Sequence, residues 1–185
     1  VYSILKTLNS IIPIKKQEIT ESLEQLELKS KQISSENLAD TNSSLNLANW
    51  ITGIPVIYYP WGLRAAEIRF KNSLQENAKT HAIIEDVIES SHNGIVSWER
   101  PSDVVPIMIE GTDDHIKTKE RWAILRQYFE ENNITYKEIS SLDGGILSKI
   151  MSLIYLLDYA TIYYAARLGI DTSPIKSIDF IKERL

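Results

Sequence analysis

The chain has 185 residues, three histidines, no cysteine and a formal net charge of −5. Hydrophobic residues make up 43% of it, enough to fill one sizeable core and too many for a disordered chain. The mildly acidic balance without basic clusters argues against nucleic acid as a partner, and the missing thiols exclude disulfides, thiolate catalysis and cysteine metal sites. The absence of cysteine fits a reducing cytoplasm.

The chain opens Val1-Tyr2-Ser3 without an initiator methionine and reads like the interior of a helix, as in a piece of a longer protein. Val1–Ile12 has helical apolar spacing that Pro13 ends, and Gln17–Ser34 repeats the pattern with Ile19, Leu23, Leu26 and Leu28 among charges. The Ser- and Asn-rich stretch Ser34–Ser44 predicts a loop, and Leu45–Ile51 a short helix closing on Gly53.

An α/β rhythm follows. Ile54–Tyr59 is a short apolar run suited to a buried parallel strand. Leu63–Lys79 predicts a helix, Ala82–Glu89 a further short helix, and His92–Trp98 a turn or helical turn. Val104–Glu110 and Ile134–Ile139 read as strands, separated by a helix that Thr112-Asp113-Asp114 would cap and that runs to about Asn132. Gly144-Gly145 opens a long helix to Leu168, ended by Gly169, and Ser173-Pro174 starts a last helix with the serine as its cap. Ile146–Leu168 is apolar enough to test as a membrane span, but Lys149 and Asp158 within it favour a mostly buried helix.

Strands alternating with helices predict an α/β three-layer sandwich, a mostly parallel sheet flanked by helices, with a helical connector before it. In such folds ligands bind at the carboxyl ends of the strands. Asp143-Gly144-Gly145 is no dinucleotide fingerprint, and His81, His92 and His115 do not recur at metal-ligand spacing. His81 and His115 read as structural or solvated residues. By pattern alone, Glu76 fits a solvated charged helix face shared with Arg69, Lys71 and Lys79, and His92 fits a turn. The chemical reading of the same stretch is a carboxylate and an imidazole near the mouth of a β-α unit, suited to proton transfer on a small polar substrate.

Three separated motifs change that balance. Ile54-Pro55-Val56-Ile57-Tyr58 precedes a helix containing Gln75-Glu76-Asn77-Ala78-Lys79, then His92-Asn93-Gly94-Ile95-Val96-Ser97-Trp98, and the chain ends on Leu156–Pro174 and Ile178–Leu185. In this order they resemble the bifunctional phosphoglucose/phosphomannose isomerase family, in its second sugar-isomerase (SIS) domain. Where that family has Asn-Glu-Asn this chain has Gln75-Glu76-Asn77, and a glutamine usual two residues earlier is Ser73.

The resemblance implies residues 1–44 as a connector from a first SIS domain and residues 45–185 as the C-terminal SIS domain. It implies interconversion of glucose 6-phosphate or mannose 6-phosphate with fructose 6-phosphate through a cis-enediol, without metal or organic cofactor. Glu76 would carry the proton between C2 and C1. His92 would assist ring opening, reaching the site from a neighbouring subunit of a homodimer. Lys182, with Lys176 nearby, would stabilise developing negative charge. Gln75, Asn77 and Asn93 would bind substrate, and the phosphate cradle would lie in the first SIS domain. A cytoplasmic location and no nucleic-acid or membrane partner complete the expectation. A sensor of sugar phosphates and a purely structural dimerisation domain are the alternatives.

Overall fold

The computed structural model describes Val1–Leu185 throughout. Four strands, β1 (Ile54–Tyr59), β2 (Ile83–Asp86), β3 (Val104–Glu110) and β4 (Lys137–Ser140), form one sheet in the order β2-β1-β3-β4. Every neighbouring pair is parallel. The helices are α1 (Tyr2–Thr7), α2 (Lys16–Ile33), α3 (Ser43–Trp50), α4 (Arg64–Asn77), α5 (Val87–Ser90), α6 (Ile116–Glu131), α7 (Ile146–Arg167) and α8 (Lys176–Lys182).

The alternation of side chains along each strand builds two cores. Ile57, Ile107, Ile109 and Ile139 face one side and pack with α3, α4 and α7. Val56, Tyr58 and Met108 face the other, against Trp122, Leu125 and Phe129 of α6. This is the expected three-layer sandwich. Alternate faces are both apolar in β1 and β3 because both are covered, as the continuous apolar runs predicted.

Three readings need correction. The segment Ala82–Glu89 is not a helix: Ile83–Asp86 pairs with β1 as an edge strand, and only Val87–Ser90 is helical. Its apolar residues at 83, 84, 87 and 88 mimic a helical stripe, and the charged Glu85 and Asp86 carry little strand propensity; ladder pairing with β1 outweighs both. The final strand starts later than expected, because Ile134 and Tyr136 pack beneath α6 before Lys137 enters the ladder. The caps also move. His115, rather than the Thr112–Asp114 cluster, caps α6, its Nδ1 accepting from the Lys117 N–H at 3.2 Å. Ser173 caps nothing, since α8 begins at Lys176 with Ile175 before it.

Helix α7 has the length and hydropathy of a membrane span, yet it runs through the fold packed by α2, α3 and α4. Its Lys149 is almost completely buried and pairs with the exposed carboxylate of Asp113. The segment expected to be a connector lies on α7 as well. Tyr163 donates its hydroxyl to the Ile33 carbonyl at 2.7 Å, the Gly145 N–H donates to Glu21 at 3.0 Å, and Ile33 is fully buried.

Candidate functional site

Helix α4 leaves the carboxyl end of β1 and returns along the sheet to the start of β2, so its last turn lies at the amino edge. Glu76 sits in that turn. The edge expected to hold it was the opposite one, and the parallel crossover is the reason: residues late in the helix return to the level where the next strand begins. Its surroundings are built by α7, which runs back from the end of β4 and delivers residues 168–178 to the same place.

The end of α4 is held firmly. Arg69 donates two hydrogen bonds from Nε and one from Nη2 to the Asp158 carboxylate at 3.1–3.2 Å, and Ser73 donates to the same group at 2.7 Å. Asp158 holds the Arg69 guanidinium above its ordinary pKa, with Glu76 adding to the effect. Asn77 donates its amide to Thr161 at 2.8 Å, so this predicted substrate ligand is also a tie between α4 and α7. Ser73, where the family motif has glutamine, contributes here to packing and to the Asp158 network.

Glu76 and Gln75 are solvent-exposed and line a cleft of about 300 Å³ with Asn72, Lys79, Pro174, Ile175, Ser177 and Ile178. Lys182 lies four residues beyond Ile178 on α8, one turn along the same row, whereas Lys176 lies on a different face. Neither lysine lines the cleft, which joins Glu76 to the chain before α8 and to its first turn.

His92 is elsewhere. It follows α5 beyond the carboxyl end of β2, on the α6 side of the sheet, and is exposed. Within one chain, Glu76 and His92 occupy opposite edges and opposite faces. The motif around His92 is fixed by Trp98, whose indole N–H donates to the Tyr58 hydroxyl at 2.7 Å. Burial pushes Tyr58 up to about 12. A Cβ added at Gly94 would meet the end of the Glu85 side chain, which would have to swing aside. Asn93 turns its side-chain oxygen onto the Gly94 N–H and caps the 3₁₀ segment Gly94–Glu99, so the structure engages this predicted ligand locally.

The carboxyl edge holds a separate crevice of about 380 Å³, where the connections from β1 and β3 depart in opposite directions across the sheet. Trp61, Asp113, His115 and Lys149 line it, and none of the residues with predicted catalytic or substrate roles does. Near it lies a group the sequence reading missed. Glu67, in the first turn of α4, is fully buried, and neither carboxylate oxygen has a hydrogen-bond partner. Burial, with Asp114 adding repulsion, pushes it from 4.5 up to about 8. The sequence signal was slight: Glu67 sits in the apolar row that continues to Phe70 and Leu74.

The family model described as "Bacterial phospho-glucose isomerase C-terminal SIS domain" matches residues 40–185. A bifunctional phosphoglucose/phosphomannose isomerase of Caldicellulosiruptor bescii is 31% identical over 146 residues, covering 76% of this chain and 43% of the relative. One of Aquifex aeolicus is 29% identical over 175 residues, covering 92% and 50%. The chain thus spans about half the length of these relatives. A crystal structure of a glucose-6-phosphate isomerase-like protein from Thermus thermophilus superposes with a TM-score of 0.71 over 91% of this chain and 56% of that one; at 15% identity it attests the fold alone.

Proposed function

Since the chain belongs to the bacterial phosphoglucose isomerase C-terminal SIS domain family, we propose that it is the C-terminal half of a cytoplasmic aldose–ketose isomerase acting on glucose 6-phosphate and mannose 6-phosphate. Residues 45–185 are the SIS domain, and residues 1–44 connect it to a first SIS domain that binds the phosphate. The observation that carries this reading is the cleft at the amino edge, which Glu76 shares with the start of α8.

The two aldoses differ only in configuration at C2, and a planar cis-enediol erases that difference. Glu76 takes the proton from C2 and returns it at C1, a transfer over a short distance to which a single carboxylate is suited. Exposed in this chain, it would be desolvated by the first SIS domain closing over the cleft. Lys182 stabilises the negative charge of the enediolate, and Gln75 and Asn77 orient the sugar hydroxyls. His92 lies too far round the sheet to serve the Glu76 of its own chain. It serves the site of a second subunit in a homodimer, where it moves a proton at the ring oxygen, with Asn93 beside it. No step calls for a metal or organic cofactor.

The test is a coupled assay, with both aldose phosphates, of a polypeptide carrying both SIS domains. Turnover of both that collapses in Glu76→Gln supports the reading; turnover that survives it removes the assigned base. The exposure of both Glu76 and His92 favours a second reading, a purely structural dimerisation domain in which they are surface polar residues. Such a domain would neither bind nor convert the aldose phosphates, whereas a sugar-phosphate sensor would bind them, leave them unconverted and tolerate Glu76→Gln.

A further inference from the structure

Lys79 ends the helix that carries Glu76, and its backbone stands at φ 53°, one of two non-glycine residues with positive φ. That conformation is costly for a residue with a Cβ and persists only where its surroundings enforce it. The side chain shows what is gained. Its ammonium has three N–H donors, and three carbonyl oxygens receive them: Glu76 at 2.6 Å, Pro174 at 2.8 Å and Thr172 at 3.4 Å. One of these belongs to the proposed base itself; the other two lie on the strand of chain leading into α8.

Helix α8 needs such a tie. It has seven residues, none of them buried, and a helix of that length has little stability alone. Apart from the two bonds from Lys79, no hydrogen bond joins residues 171–185 to the rest of the molecule. Asp171 accepts from the Ser173 N–H at 2.9 Å; this bond holds its carboxyl below the ordinary range, and the charge of Lys79 adds to the effect.

We propose that Lys79 is a positioning residue, a clasp that fastens the chain before α8 to the end of α4 and so sets where Lys182 stands relative to Glu76. The clasp follows from the contacts; its catalytic consequence rests on the isomerase reading above. It predicts that the ammonium governs the register of the two halves of the cleft while touching no reacting atom.

Three variants separate the effects. Lys79→Gly leaves the positive-φ turn at no steric cost and removes the ammonium. Lys79→Met removes the ammonium and retains the strain. Lys79→Arg restores the charge with a different shape. In this 185-residue chain, hydrogen exchange of residues 172–182 should speed up about tenfold or more in Lys79→Gly and Lys79→Met, while the interior of α4 stays protected. In a polypeptide with both SIS domains, kcat should fall on the order of tenfold with KM for the sugar phosphate nearly unchanged, and Lys79→Arg should recover part of it. Unchanged exchange in Lys79→Gly overturns the clasp. Faster exchange with unaltered kcat overturns the positioning role. Whether Glu76 is the base is judged separately by Glu76→Gln, so failure of the clasp and failure of the isomerase reading are distinguishable.

Discussion

Helix α4 carries two glutamates in opposite circumstances. Glu67, in its first turn, is sealed beneath the carboxyl edge with no hydrogen-bond partner and is pushed up to about 8. Glu76, nine residues later, is exposed at the amino edge beside a cleft. At about 1.5 Å and 100° per residue they stand roughly 13 Å apart along the axis, on opposite sides of the helix. A strongly perturbed carboxyl often marks a functional site. Here the perturbation falls on the residue outside the family motif, while the motif glutamate is open to solvent. Burial within one domain and completion of a site between domains are separate ways of arranging a carboxylate, and this helix holds one of each.

The sharpest way to break the contrast is Glu76→Gln in a polypeptide with both SIS domains. Isomerase turnover should drop by about 10² to 10⁴, the range for loss of a general base, while urea unfolding of this chain is unaltered because the side chain is exposed. A loss of stability comparable to the loss of activity would mean that the two glutamates do not differ as described.

Glu67→Gln addresses the other end. The folded chain holds the proton of Glu67 up to about pH 8, whereas the unfolded chain releases it near 4.5. Between those values the folded state binds more protons than the unfolded state, so stability falls as pH rises from about 4.5 to about 8 and then levels off. The difference amounts to a few kcal/mol. Urea midpoints at pH 5 and pH 9 should show this decline in the parent and a shallower one in Glu67→Gln. Identical slopes would mean that Glu67 is ionised or solvated in the fold.

Smaller effects test what holds the helix between them. Asp158→Ala frees Arg69 and Ser73 together and should cost about 1–2 kcal/mol, because one carboxylate serves both donors. In thermal unfolding it should exceed Ser73→Ala alone. Smallest is Trp98→Phe, which keeps the ring packed on Phe129 and loses the bond to the Tyr58 hydroxyl. About 1 kcal/mol is expected, measured by urea unfolding, without effect on hydrogen exchange at α8.

Much of the fold was legible because its signals are local. The apolar runs of β1 and β3 are bounded where the strands are bounded, and Gly169, at positive φ, follows the end of α7 as read; α1 instead stops at Thr7, well before Pro13, and α3 closes on Ile51 rather than on Gly53. The edge strand β2 was not legible, since its pairing with β1 supplies what its charged residues lack. For the site, the motif residues Gln75 and Glu76 line a cleft whose other wall comes from the chain before α8 and could not be placed from sequence. Asn77 and Asn93 have partners within the chain that spacing could not disclose. Lys79 appeared as one more charge on a solvated face, because two of its three acceptors lie more than ninety residues away in sequence.

The order of secondary structure, the closed apolar faces of the central strands and the kinship with the SIS domain of phosphoglucose isomerases were determined by the sequence itself, because hydrophobic periodicity and motif order are properties of neighbouring residues. Only the tertiary structure decided which edge of the sheet Glu76 occupies, that His92 stands on the other side, that Glu67 is sealed away from water, and that Lys79 grips the start of α8. Those outcomes depend on how far a parallel crossover carries the chain before it turns back, and on which distant backbone atoms are then within reach of a charge.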